Sequence, residues 1–351
     1  MVATRTGSYR PPVMGTTHAV STGHYLASAT GMRVLENGGN AIDAGVAAGI
    51  CLNVLLPEMC GFGGVAPIMV YLAEEDRVIS LNGVGPWPAK ASVDYFMTQH
   101  GGVIPSGVAR VVVPVAAGAW LTALEMWGTK SFAEVVGGAL GLARDGFPLH
   151  FTGAAGMPDL VNASRDWESS MAVFAPEGRP IGFRERFVQS DLANTFEKLI
   201  NAEKSRSSIS REAGIRAARE EFYSGGIGEA ITGFVQSEGG LLDSSDLTNF
   251  EIEIEDTVTG SFGEYEVYAC GPWSQGPVLI ETLQILRPDD FRSLAHNSAE
   301  YIHLVTEALK LAFADRDAFV SDPKFVDVPI TALGSLEYAE SRRSQIDPDR
   351  A

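Results

Sequence analysis

The chain has 351 residues, enough for one large α/β domain or two smaller ones. Its composition, 45% hydrophobic and 20% charged, is that of a globular protein, and no apolar run approaches the roughly 20 residues that cross a bilayer. Twenty-six basic against 44 acidic residues give a net charge of −18, which repels polyanions, so neither nucleic acid nor a membrane is an expected partner.

The opening MVATRTGSYRPPVMG has no apolar core of a secretory signal, which points to a cytoplasmic protein with an N-terminal arm over residues 1–20. Residues 24–37 read as a helix that stops at Gly38-Gly39. Asn40 then caps a second helix over 41–55, and Pro57 follows its end. That helix is small-sided (Ala41, Ala44, Gly45, Ala47, Ala48, Gly49), which predicts close packing beside a sheet. Asp43, a carboxylate among alanines, is assigned to a structural pairing. After the Gly-rich run Cys60–Pro67, strands at 68–72 and 78–81 flank the acidic turn Glu74-Glu75-Asp76 as a hairpin. Residues 111–115 read as a short extended segment and 116–127 as a helix. Ser131-Phe-Ala-Glu134 is a capping box for a helix that ends at Asp145-Gly146. Residues 150–186 carry the weakest pattern and read as irregular with short helices.

Helices are expected at 190–202, 210–223 and 226–237. The alternation Glu251-Ile-Glu-Ile-Glu255 predicts a strand with one buried face, and residues 258–269 form a second hairpin around Gly263. A helix over 275–286 and the longest one, over 298–319, follow, the latter with Ile302, Val305, Leu309 and Ala312 as its apolar stripe. The polar tail 338–351 ends in what reads as an exposed connection. With no repeat or linker, residues 1–351 are taken as a single domain.

The standard constellations are absent. There is no G-x-S-x-G elbow, no phosphate-binding loop and no H-E-x-x-H. Cys51, Cys60 and Cys270 are odd in number and lack a C-x-x-C, which argues against a disulfide framework or zinc site. His18 and His24 have no third ligand at metal spacing, so no metal and no cofactor is expected. Asp315 and Asp317 around Arg316 read as an exposed ion-pair cluster. Thr16-Thr17-His18 would act as an N-terminal nucleophile only after cleavage behind Gly15. No catalytic residue is assigned within this chain.

Six collinear segments resemble the γ-glutamyltransferase family. They are Leu26–Ala48 with its G-G-N-A-I-D-A core, Gly61–Tyr71, Pro88–Ala91, Trp127–Pro148, Glu221–Leu242, and Asn297–Arg316 with the following Asp322-Pro323. The resemblance implies an α+β fold, the αββα four-layer sandwich of N-terminal nucleophile hydrolases, completed by a small subunit. It implies a precursor that cleaves itself just after a segment like the tail 338–351, freeing a threonine that starts the small subunit and serves as nucleophile. The implied partners are that small (β) subunit and a small-molecule amide, with a dimer of heterodimers as a possible assembly. The reaction class is amide hydrolysis or acyl transfer, as in a glutathione hydrolase, a cephalosporin acylase or an oxamate amidohydrolase. A non-catalytic relative is the other reading.

Two departures bear on the substrate. Before Pro88-Ala-Lys-Ala91, where family members carry an arginine followed by a glutamate, this chain has Val84 and Gly85. That arginine grips the α-carboxylate of a γ-glutamyl group, a two-pronged contact that valine cannot make. Trp87 offers a flat apolar surface to a different acyl group, or else it anchors the loop. Gly271-Pro-Trp-Ser-Gln-Gly-Pro277 is the second departure, with Trp273 and Gln275 at the pocket rim or merely packed. Arg110 is the basic residue that could take over a carboxylate grip. The substrate-binding candidates are therefore Val84, Trp87, Arg110, Trp273 and Gln275.

Overall fold

The computed structural model describes residues 12–287 and 290–351, so residues 1–11 of the expected arm lie outside it. Contacts divide the chain into two compact units. One runs up to Val65 and takes up again over Pro86–Phe250; the other joins Ala66–Gly85 to Glu251–Ala351. In chain order the strands are β1 (Ile68–Leu72), β2 (Arg77–Leu81), β3 (Phe147–Pro148), β4 (Arg186–Phe187), β5 (Ile254–Asp256), β6 (Val258–Phe262) and β7 (Tyr265–Ala269). Helices and small antiparallel sheets together make the α+β class that was expected.

The first unit is helical: α1 (Tyr25–Glu36), α2 (Ala41–Leu55), α3 (Val93–His100), α4 (Ala116–Trp127), α5 (Phe132–Asp145), α6 (Phe151–Ala163), α7 (Glu168–Phe174), α8 (Ser190–Arg206), α9 (Arg211–Tyr223), α10 (Gly226–Ser237) and α11 (Ser244–Thr248). The β3–β4 ribbon, with Phe147 opposite Phe187, is its sheet structure. Two caps read from sequence are present. Asn40 and Asp43 bond each other's backbone amides at the start of α2, and Ser131 and Glu134 do so at the start of α5. Helix α2 is buried as expected, but among helices rather than beside a sheet: it packs on α1, α4 and α5. The small residues permit this. A Cβ at Gly31 of α1 would sit 3.1 Å from the Ala44 carbonyl oxygen, and one at Gly49 would strike the Trp120 indole of α4. Trp120 Nε1 donates to Asn53 Oδ1 at 3.1 Å, which ties α4 to α2. Residues 150–186 are more regular than their pattern suggested. Helix α6 has thirteen residues with Pro158 inside it, and His150 caps its start.

The second unit holds the antiparallel sheet β1–β2–β5, the β6–β7 hairpin, and helices α12 (Gly276–Ile285), α13 (Asp290–Ser293), α14 (Ala299–Phe319), α15 (Ile330–Leu333) and α16 (Leu336–Arg343). Pairing is in register from Ile68–Leu81 to Leu72–Arg77, and Ile79 faces Asp256 of β5. Strand β5 departs from expectation: it lies at the sheet edge and Ile254 is exposed, so its alternation does not mark a buried face here. The stripe predicted for α14 holds in part, with Ala312 buried and Val305 packed on the core but Ile302 and Leu309 exposed. Ile302 is 54% exposed and Leu309 is exposed too, while Ala308, Ala312 and Asp315 are the buried residues. Small residues on this face let α14 approach α12, and Leu304, Val305 and Leu311 pack around them on the same core. Ile285, Leu286, Ala308 and Ala339 form the small core that joins α12, α14 and α16.

Candidate functional site

The sequence candidates divide between the units. Val84 belongs to the second, just past β2. Gly83 before it lies against the Ala66 backbone, where a Cβ would collide, and the Ala66 amide donates to the Gly83 carbonyl at 2.9 Å. The Asn82 amide donates to Glu253 O at 2.8 Å, and Asn82 Oδ1 accepts from the Val84 amide at 3.1 Å. The backbone at Val84 is thus held, and its side chain is 38% exposed and apolar. A valine side chain itself carries no guanidinium for a bidentate grip.

Trp273 and Gln275 lie in the turn before α12. Glu255 Oε1 accepts from both the Trp273 indole N–H and the Ser80 hydroxyl, the latter buried in the sheet at 3.1 Å. The indole is therefore fixed through its polar edge. Gln275 Oε1 accepts from an Arg316 guanidinium nitrogen at 2.9 Å, and Arg316 also binds Asp317 and stacks over Phe313 at 4.6 Å.

Trp87 and Arg110 belong to the first unit. Trp87 is 43% exposed and meets Phe96 of α3 edge to face, ring centroids 5.6 Å apart. Tyr95 and His100 extend this aromatic group, and α3 buries none of its residues. Arg110 is turned onto its own loop: its guanidinium donates to Pro105 O at 2.9 Å and Ile104 O at 3.3 Å. Part of its donor fork is therefore already used.

Other polar groups carry more of the burial. Asp43, fully buried, accepts from the Asn40, Thr129 and Lys130 amides and from the Thr129 hydroxyl at 2.7–3.0 Å, which makes it the structural pairing expected. Glu203 of α8 accepts from the Phe132 and Ala133 amides at 2.6 and 2.8 Å; burial nonetheless pushes its carboxyl up. His24 faces His150 rather than His18, with ring centroids 5.0 Å apart, and Glu58 lies 3.9 Å from His150 Nε2. Each imidazole caps a helix through one nitrogen, and burial together with His150 lowers the His24 pKa. No group of three or more His, Cys, Asp or Glu among the described residues is arranged to hold a metal ion, and no helix among them is long and apolar enough to cross a membrane.

Asp315 corrects the reading of an exposed ion-pair cluster. It is 0% exposed and is gripped by Arg342 and Tyr338 of α16, with Arg342 Nε at 2.7 Å and the Tyr338 hydroxyl at 2.9 Å. Arg316 and Asp317 do pair at the surface, as expected. The signal for Asp315 was its place seven residues after Ala308 on the small-residue face of α14. Glu281, inside the apolar run of α12, had a comparable signal and was missed.

Comparison with known proteins gives one consistent picture. Residues 27–351 match the family model described as gamma-glutamyltranspeptidase. The acylase ACY 1 proenzyme of Pseudomonas sp. (strain SE83) is 34% identical over 97% of this chain and 60% of its own length. The glutathione hydrolase proenzyme of Bacillus subtilis (strain 168) is 32% identical over 97% of this chain and 57% of its own. The chain thus spans about 60% of the length of the curated relatives it matches. Among solved structures, the Helicobacter pylori gamma-glutamyltranspeptidase superposes with a TM-score of 0.88 at 28% identity, covering 97% of this chain and 95% of that one.

Proposed function

From its membership of the gamma-glutamyltranspeptidase family, an N-terminal nucleophile hydrolase family, we propose that this chain is the large subunit of an amide hydrolase or acyltransferase whose acyl pocket has moved away from γ-glutamyl groups. The nucleophile in this reading is the threonine that opens a small subunit released from the same precursor. Relatives named proenzymes, matched over only part of their length, support the two-chain reading.

The chemistry follows from the nucleophile. The threonine hydroxyl attacks the amide carbonyl, its own α-amine takes the proton, and an oxyanion hole in the small subunit holds the tetrahedral intermediate. The amine product leaves with a proton, and water or an acceptor amine resolves the acyl-enzyme. This large subunit supplies the acyl pocket.

The observation that carries the altered specificity is Val84-Gly85 at the position of the family's arginine and glutamate, with exposed Trp87 three residues on. A hydrogen bond to a charged group contributes about 1.5–3 kcal/mol, so loss of a bidentate pair weakens a γ-glutamyl substrate by tenfold or more. The test assays the processed two-chain protein on γ-glutamyl-p-nitroanilide and phenylacetyl-p-nitroanilide. Preference for the aromatic acyl group, and at least tenfold gain on the γ-glutamyl compound in Val84→Arg/Gly85→Glu, are the expected results. Turnover of γ-glutamyl-p-nitroanilide by the unmodified protein at the level of the Bacillus subtilis enzyme would sink the pocket reading and leave a glutathione hydrolase.

A further inference from the structure

In the second unit, Glu281 of α12, Asp315 of α14, and Tyr338 and Arg342 of α16 converge on one buried point. Glu281 is 1% exposed with Asp315 as its neighbouring carboxyl group, and its Oε1 has no partner in the protein. Arg342 grips both Asp315 oxygens, and Tyr338 donates to one of them. Two buried carboxyl groups therefore lie beside one guanidinium, which bonds Asp315 and not Glu281. Two buried negative charges against one positive charge are costly, so one carboxyl keeps its proton. Direct contact with Arg342 holds Asp315 ionised, and the proton stays on the buried Glu281 beside it.

This hub fastens α16 to α14, while Arg343 donates to the Ile285 carbonyl and Glu340 pairs with Arg287 at the end of α12. Ala339 is the one residue of α16 that is buried, and Tyr338 and Arg342 on either side of it make the ties to α14. Helix α16 opens the polar tail 338–351, which reads as exposed in sequence but begins as this packed helix, and the family resemblance places self-cleavage just after that tail. We propose that the proton shared between Glu281 and Asp315 positions α16, and through it the segment 344–351, for cleavage of the precursor. The inference rests on the two-chain reading given above. Glu281 and Asp315 are positioning residues and touch no reacting atom.

The proton is the operating part. Burial first, and then Asp315, push the Glu281 carboxyl up to about 9. Above that pH a second carboxylate appears beside Asp315 and competes for Arg342. The groups facing Glu281 are Asp315 from α14 and Arg342 and Tyr338 from α16. Strand β6 and helix α15, also packed on α12, carry no ionisable side chain, and Glu266 of β7 is bound by the Tyr268 hydroxyl.

The test uses the full precursor and follows both its self-cleavage and hydrogen exchange over residues 336–343 between pH 7 and 10.5. The unmodified precursor is expected to slow at least tenfold above pH 9 while α16 loses protection. Glu281→Gln, which keeps a donor to Asp315 but cannot ionise, is expected to cleave at a near-normal rate at pH 7 and to lose the alkaline fall in both measurements. An unchanged alkaline fall in Glu281→Gln, or none in the unmodified precursor, overturns the inference and leaves the two-chain reading intact. A precursor that stays uncut at every pH overturns the two-chain reading, and this inference with it.

Discussion

The two units bury carboxylates equally deeply and satisfy them in opposite ways. In the first unit, Asp43 and Glu203 receive backbone N–H groups from residues 129–133, where α5 begins. In the second, Glu281 and Asp315 receive side chains: each other, an arginine and a tyrosine. Backbone amides do not titrate and favour the anion they hold, although at Glu203 burial outweighs them and raises the carboxyl. A side-chain hub answers to pH and to mutation at every member. Equal burial therefore gives a joint built on backbone donors in one unit and a joint built on titratable side chains in the other.

The largest expected effect tests the joint built on backbone donors. Asp43→Ala strands three backbone donors and the Thr129 hydroxyl, and should cost about 3–5 kcal/mol in urea unfolding. A cost below 1 kcal/mol would break the comparison at its stronger side. Asp315→Asn halves the acceptors offered to Arg342 and removes the charge it pairs with, for an expected loss of about 2–4 kcal/mol by the same measurement.

Smaller effects depend on pH. The folded pKa of Glu281 is raised, so its contribution to stability is complete below about 4.5 and is lost as pH rises towards about 9. The stability of Glu281→Gln relative to the unmodified chain should accordingly increase from pH 5 to pH 9, read from thermal unfolding. The folded pKa of His24 is lowered instead, so stability is lost as pH falls below 6.5. His24→Asn keeps a side-chain cap on α1 and should flatten that acid limb by about 1 kcal/mol or less. An acid limb unchanged in His24→Asn would assign it to another group.

What could be read from sequence followed the range of the interaction. The caps at Asn40 and Ser131 were legible because both partners lie three residues apart. Asp43 was legible as a paired group because it sits among alanines, although Thr129 and Lys130 could not be named. Asp315 was misread because Arg316 and Asp317 offered an adjacent explanation, whereas its true partners are 23 and 27 residues on. The α14 stripe was half right, because Ala312 and Val305 reach the core while Ile302 and Leu309 lie exposed. Among the site candidates, Val84 was visible against the family pattern. The fixing of Trp273 by Glu255 and of Gln275 by Arg316 was not, since those contacts exist only after folding.

The contact of Gly49 with Trp120 constrains how the first unit can diverge. Even a single added methyl at 49 has nowhere to go while the indole stands there, and a smaller side chain at 120 leaves a gap and frees Asn53 of its donor. The two positions are thus a gauge of the spacing between α2 and α4, and sequences that keep this spacing must change them together or leave both alone.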